Sequence, residues 1–318
     1  MGTFFSSYQL LFATAMIAAV MALSQFVVLK AGVFSVAPIG IQAIGAYLSG
    51  YLQVARGWSA FPSLLVAVVA GLVVSLVLAV PLARLRGIFQ AIATLSFVIL
   101  VQSLILIFDG VTGGPNGING IPQSQTTSSL AVYLVIAIAV LLVVNRSRVG
   151  RAFDAMREDE IAAASHGVSI FRYQTWAFGI SGLLAGLAGA LSAGYNFSVL
   201  PESFGFAAVV ATLTYVVIGG SVRVGGPLFG TALLLALPEI SRPLADQRLV
   251  LEGALLVLTV IFLPNGVVDG LALRIQTIRS RRQSAPMPEI AVAATPERPP
   301  PPLGDDDVPI GSTSGGAR

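Results

Sequence analysis

Side chains capable of covalent or metal chemistry are scarce in this sequence of 318 residues. No cysteine is present, which excludes disulfides, thiolate chemistry and cysteine zinc sites. The single histidine, His166, lies in a charged connector, where an imidazole is ordinarily solvated. Metal clusters and Ser/His triads thus lack their usual donors. A phosphate-cradling Walker loop places a lysine after a glycine-rich turn, because the ammonium reaches the terminal phosphates. The only lysine, Lys30, instead follows Leu29 at the end of an apolar run, so this chain is no P-loop nucleotide hydrolase by itself.

Ion-coupled carriers and intramembrane enzymes place acids or bases inside their spans. Of 15 carboxylates, only Glu239 and Glu252 approach apolar segments, both near segment ends, so the power for any transport is expected on another chain. The apolar segments do contain mild polarity, at Gln42, Gln90, Thr94, Ser96, Gln102, Thr212 and Thr214. Such groups line a path for a small zwitterion or make interhelical hydrogen bonds, and the sequence leaves both roles open. A second candidate is the glycine-rich stretch 109–122, DGVTGGPNGINGIP. There Gly113-Gly114-Pro115-Asn116-Gly117 is expected not to be helix, and Pro-Asn-Gly is a strong turn signal. Its five glycines let the backbone pass close to another chain or to a substrate. Gln42, Gln90, Thr94, Gly113, Gly114, Asn116 and Gly117 are therefore the expected translocation-path residues.

A third candidate is the connector 146–172, which carries Arg151, Asp154, Arg157, Glu158, Asp159 and Glu160, then Ala162, Ala163, Ala164 and Gly167. Helix formers followed by a glycine stop predict one short amphipathic helix at the cytoplasmic surface, ending near Gly167. Mixed charge and small residues suit docking against another protein, and a solvated connector is the plainer alternative.

The elements that must position these residues are set by lipid. The chain is 55% hydrophobic and only 10% charged, against about 25% charged in soluble domains. Its mean hydropathy is +0.86. A basic pI of 9.5 does not indicate nucleic acid here, because the arginines fall between apolar runs and in the tail. About 20 mainly apolar residues cross a bilayer as a helix. The predicted fold is all-α, a polytopic membrane bundle of about nine spans: 8–29, 33–52, 61–80, 88–108, 130–144, 173–195, 204–218, 227–237 and 249–263. Span 33–52 contains Pro38, Gly40, Gly45 and Gly50, and so many breakers are tolerable at membrane depth only in the bundle interior. Span 173–195 has two small-residue ridges, Ser181/Ala185/Gly189/Ala193 and Gly182/Gly186/Ala190/Gly194. Ridges of that kind let helix backbones approach closely, within this chain or against a second subunit.

Cations flanking spans are retained on the cytoplasmic side. Nine spans with an internal carboxyl terminus leave only Arg56, Arg242 and Arg248 of the 18 cations outside. No charged or small-residue cleavage pattern precedes the first apolar run, so 8–29 is expected to be a retained span. Two regions are expected: residues 1–273 as the membrane domain, and 274–318 as a disordered cytoplasmic tail with Arg279, Arg281 and Arg282, a proline run and three aspartates. The basic cluster there suits anionic lipid or a simple stop-transfer flank.

Taken in order, GIQAIGAYLSGY at 40–51, RLRGIFQAIATLSF at 84–97, TGGPNGINGIP at 112–122, GRAFDAMREDEIAAASHG at 150–167, AFGISGLLAGLAGALSA at 177–193, VVIGGSVRVGGPLFG at 216–230 and PNGV at 264–267 resemble the M-type (LivM-like) permease subunits of branched-chain amino-acid ABC importers. The resemblance runs from about residue 32 to 267 and leaves out the tail. It implies a complex in the bacterial inner membrane with a second, LivH-like permease, two cytoplasmic ATPases that use ATP and Mg, and a periplasmic binding protein. This chain would bind no cofactor of its own. It also implies that the connector is the ATPase-coupling element, carried by Arg151, Arg157, Glu158, Asp159, Glu160, Ala162, Ala163 and Gly167. The motif departs from the wider permease pattern in that Ile161 separates Glu160 from Ala162. Relatives in the family carry urea and short amides, so an importer of those is one alternative. A secondary, ion-coupled carrier working alone is the other.

Overall fold

The computed structural model describes residues 2–240, with side chains from 9 to 236. Among them are eleven α-helices: α1 (Gly2–Lys30), α2 (Ala37–Arg56), α3 (Ala60–Leu82), α4 (Ile88–Ile107), α5 (Asp109–Thr112), α6 (Thr127–Arg146), α7 (Arg148–Glu158), α8 (Glu160–Ser165), α9 (Ile170–Asn196), α10 (Phe206–Gly219) and α11 (Gly225–Ile240). Five stretches are long and apolar enough to cross a membrane: Gln9–Lys30, Ala60–Leu82, Ile88–Ile107, Thr127–Arg146 and Ile170–Asn196. Each coincides with an expected span. The expected spans 204–218 and 227–237 fall on the shorter apolar helices α10 and α11, and 33–52 falls on α2. Span 249–263, the PNGV stretch, Glu252 and the tail lie outside the described residues.

Helix α9 is the axis of the bundle. Of its most apolar stretch, 78% is buried, against 17% for α6, so α9 packs on protein while α6 presents most of its surface outward. All eight residues of its two small-residue ridges are buried, and α1, α2 and α3 lie against it. Backbone meets backbone there. A Cβ added at Gly45 of α2 would come within 2.8 Å of the Gly186 carbonyl oxygen, and one at Gly186 within 2.5 Å of the Ala67 carbonyl oxygen. The ridges thus serve packing within this chain. Ser24 of α1 closes the third contact, its Oγ donating to the Ser181 carbonyl at 2.7 Å.

The breaker-rich α2 lies in the interior as expected, with twelve of its 20 residues buried, among them Pro38, Gly40, Gly45 and Gly50. Its proline sits in the first turn, where no intrahelical N–H is needed. Gly57 ends it at φ 61°, a left-handed value that an L side chain adopts only under strain.

Two expectations need correction. Gly114–Asn116 does form one turn of 3-10 helix, because Pro115 supplies a helical φ and the Gly117 amide reaches the Gly114 carbonyl. The connector is two helices rather than one. Asp159 is extended between them (φ −154°, ψ 112°), and its Oδ1 accepts from the Ile161 and Ala162 amides, capping α8. A capping carboxylate satisfies the new helix's free amides at the cost of ending the old one.

Candidate functional site

A cavity of about 200 Å³ lies between α1, α2, α9 and α10. Gln42, expected from the sequence as a path residue, and Thr212, whose role the sequence left open, stand in its wall with Thr14, Ser192, Asn196, Ser203 and Tyr215. Ile17, Ala18, Met21, Ala208 and Ala211 complete the lining, which holds no carboxylate, histidine, lysine or arginine. Amides and hydroxyls set among methyl groups can hydrogen-bond a small dipolar solute while seating an aliphatic portion. A second cavity of about 460 Å³ is walled by Gln9, Leu10, Gln123, Gln125, Thr126, Thr127 and Tyr195, again without a charged side chain.

The other expected path residues lie elsewhere. Gln90 is buried and donates from Nε2 to the Leu82 carbonyl at 3.2 Å, holding the start of α4 to the end of α3. Thr94 is fully buried, accepts from the Val36 amide at 3.1 Å and donates within its own helix. These are the interhelical bonds that the sequence left open as their alternative. Gly113, Gly114 and Gly117 have φ of 73°, 53° and 64°, which is why glycine stands at all three. At Gly117 a Cβ would collide with the Val199 carbonyl, and the neighbouring Ile118 pairs antiparallel with Val199 in a two-residue ladder. The Asn116 carbonyl accepts from Asn119 Nδ2 at 2.9 Å. The glycine-rich loop therefore closes onto the segment after α9, and Tyr47 of α2 reaches the same Val199 carbonyl with its hydroxyl at 3.3 Å.

The connector packs one face inward. Gly150, Ala152, Phe153 and Met156 of α7 and Ala163 of α8 are buried, while Arg151, Arg157, Glu158, Asp159, Ala162 and Gly167 are exposed. Gly167, at φ 83°, follows the end of α8 and turns the chain toward α9. Arg157 donates from Nη1 to the Ser221 carbonyl at 2.9 Å, reaching the α10–α11 connection. Glu160 accepts from Gln174 Nε2 at 3.1 Å and lies 3.8 Å from Arg86, so α8 is tied to both α9 and the α3–α4 connection. Ile161 presents a hydrophobic side chain 77% exposed at the tip of α8.

Sequence reading missed the residue that anchors this unit. Lys30 is 4% exposed, with Nζ 3.0 Å from Asp154 Oδ1 and donating to the Val222 carbonyl at 3.2 Å. The available signal was a sole lysine at the end of an apolar span, in a chain that otherwise uses arginine for every cation. Desolvation makes a buried ammonium too costly to stand without partners.

Comparison with known proteins finds a family match and several named relatives. The family described as branched-chain amino acid transport system / permease component matches residues 8–263. The high-affinity branched-chain amino acid transport system permease protein LivM of Salmonella typhimurium is 35% identical over 269 residues, covering 72% of this chain and 62% of that protein. The Escherichia coli LivM is 34% identical over 263 residues with the same coverage, and the E. coli permease protein LivH is 26% identical over 239. The chain thus spans 62% of the length of the two LivM proteins. No solved structure matches it.

Proposed function

The chain belongs to the family of branched-chain amino acid transport permease components, and from that premise we propose that it is an M-type translocation subunit of an ATP-driven importer for branched-chain or related small amino acids. The observation that carries this reading is the cavity between α1, α2, α9 and α10, walled entirely by neutral groups. A proton-coupled carrier places a carboxylate or histidine in its passage, whereas an importer powered from outside the membrane needs only a neutral passage and a handle.

The α7–α8 unit is that handle in this proposal, with Arg151, Glu158, Ile161 and Ala162 exposed for an ATPase and Arg157, Asp159, Glu160 and Ala163 setting its shape. Gly167 returns the chain to α9. Gln42 and Thr212 meet the solute, and Gln90, Thr94 and the Gly113, Gly114, Asn116 and Gly117 loop hold the path's walls. The partners are a second, LivH-like permease, two ATPases that consume ATP and Mg, and an external binding protein. Residues 1–273 form the membrane domain of nine spans, the carboxyl terminus is cytoplasmic after a tail from 274, and the location is the bacterial inner membrane. LivM and LivH relatives both align with this chain, which supports a paired permease.

The test is leucine uptake into vesicles holding this chain with its partner permease, ATPases and binding protein, comparing internal ATP with an imposed proton gradient. Uptake that requires ATP and the binding protein is the expected outcome. Gradient-driven uptake without partners sinks the proposal in favour of a secondary carrier. Gln42→Leu is expected to raise the concentration for half-maximal uptake by about tenfold, the cost of one lost hydrogen bond to a dipolar solute.

A further inference from the structure

Helices α1 and α10 supply most of the cavity wall, through Thr14, Ile17 and Met21 on one side and Ala208, Thr212 and Tyr215 on the other. Both lead to the same cluster beneath α7. Helix α1 ends at Lys30, and α10 ends at Gly219, directly before the connection that carries Ser221 and Val222. The Lys30 ammonium joins the two, being 3.0 Å from Asp154 Oδ1 of α7 and donating to the Val222 carbonyl at 3.2 Å. One turn along α7, Arg157 donates to the Ser221 carbonyl. Two adjacent carbonyls of the α10–α11 connection are thus held by cations at α7, and the buried one is also the last residue of α1.

We propose that Lys30 is a positioning residue that transmits displacement of the α7–α8 unit to α1 and α10, and through them to the cavity. The proposal rests on the importer reading above. Its physical basis is an asymmetry of burial. The Lys30 side chain is 5% exposed while the Asp154 side chain is 50% exposed. Asp154 can move with α7 and remain solvated, but a buried ammonium left without a partner carries a desolvation penalty. When α7 shifts, Lys30 follows its carboxylate, drawing α1 and the Val222 carbonyl with it. The contact has little slack on the other side. A Cβ at Gly32 would lie 3.3 Å from the Arg157 Cα and from the Met156 carbonyl, so α7 rests directly on the α1–α2 turn. Beside the ammonium, the Phe26 ring stands 5.9 Å from Nζ and offers its face to the cation, with no hydrogen bond to hold it in place. The ionic pair, and not the apolar neighbours, is therefore what gives the contact a direction.

The experiment uses the assembled complex in proteoliposomes, with leucine as the probe and external binding protein present, and reads leucine taken up per ATP hydrolysed. Lys30→Met and Asp154→Asn are each expected to lower that ratio by about tenfold, within the range of a coupling between two sites. Lys30→Arg keeps the charge and is expected to restore most of it. A purely structural role would reduce the amount of assembled complex without changing the ratio. Assembled Lys30→Met and Asp154→Asn complexes with the parent ratio overturn the proposal. If Lys30→Met does not assemble, Asp154→Asn decides alone, since its side chain is half exposed and asparagine keeps an Oδ1 acceptor for the buried ammonium. A parent complex that hydrolyses ATP without uptake overturns the importer reading itself, a result distinct from a coupled parent with equally coupled variants.

Discussion

The seam along α9 and the α7–α8 unit are both made of close contacts, yet they are built from different materials. At the seam, glycines bring backbones together so closely that the neighbouring chain occupies the space of a Cβ, as at Gly45, Gly71 and Gly186. At the α7–α8 unit, apart from the backbone approach of α7 to Gly32, long side chains span the gaps: Lys30 to Asp154, Arg157 to Ser221, Gln174 to Glu160. Backbone contacts of the first kind have no rotamers to adjust, and packed interiors transmit strain instead of absorbing it. Side-chain tethers pivot. A protein that must change shape while staying assembled is served by a rigid spine and a pivoting attachment, and the two regions divide along those lines.

That contrast is breakable. Its largest consequence is at the seam, where Gly186→Val is expected to cost about 3 kcal/mol, the upper end of ordinary overpacking. Its Cβ would meet the Ala67 carbonyl oxygen at 2.5 Å with no flexible end to yield. Loss of the chain from membranes, or a lower thermal midpoint in detergent, checks it, and unaltered accumulation would show the seam to be softer than its geometry. The tethers should behave differently. Arg157→Ala with Glu158→Ala is expected to leave assembly intact while uptake per ATP falls about tenfold, equivalent to about 1.4 kcal/mol of coupling. A double variant that assembles and transports like the parent would remove the α7–α8 unit from the mechanism. Smallest is Asp159→Ala, which deletes the cap between α7 and α8 at about 1 kcal/mol. Faster amide exchange at Ile161 and Ala162, reversed by Asp159→Ser, sharpens the comparison by showing that the unit is locally set and separable from the spine.

Much of the architecture was legible beforehand because lipid imposes it. Five expected spans coincide with long apolar helices, and the small-residue ridges of 173–195 are buried throughout. The glycine loop was legible as a turn but not in its target: the sequence allowed another chain or a substrate, and its actual neighbour is Val199. The connector was legible as helical and amphipathic, yet its break at Asp159 was not, since a capping aspartate and a helix-surface aspartate look alike in a charged run. Polar residues inside apolar segments were the least informative. Gln42 and Thr212 reach the cavity while Gln90 and Thr94 bond to backbone, and nothing in residue type separates the two pairs.

The sequence by itself determined that the chain lives in lipid as a helical bundle, lacks the side chains for nucleotide hydrolysis through a P-loop, and carries small residues where helices must touch. Those properties follow from hydropathy, from the length of a span and from the presence or absence of a side chain, all of which are local. Only the tertiary structure decided which polar groups share a cavity and that Lys30 meets Asp154, 124 positions away in sequence. The physical reason is that a helix fixes which way each side chain points around its own axis, whereas which neighbour stands there depends on how the helices pack against one another.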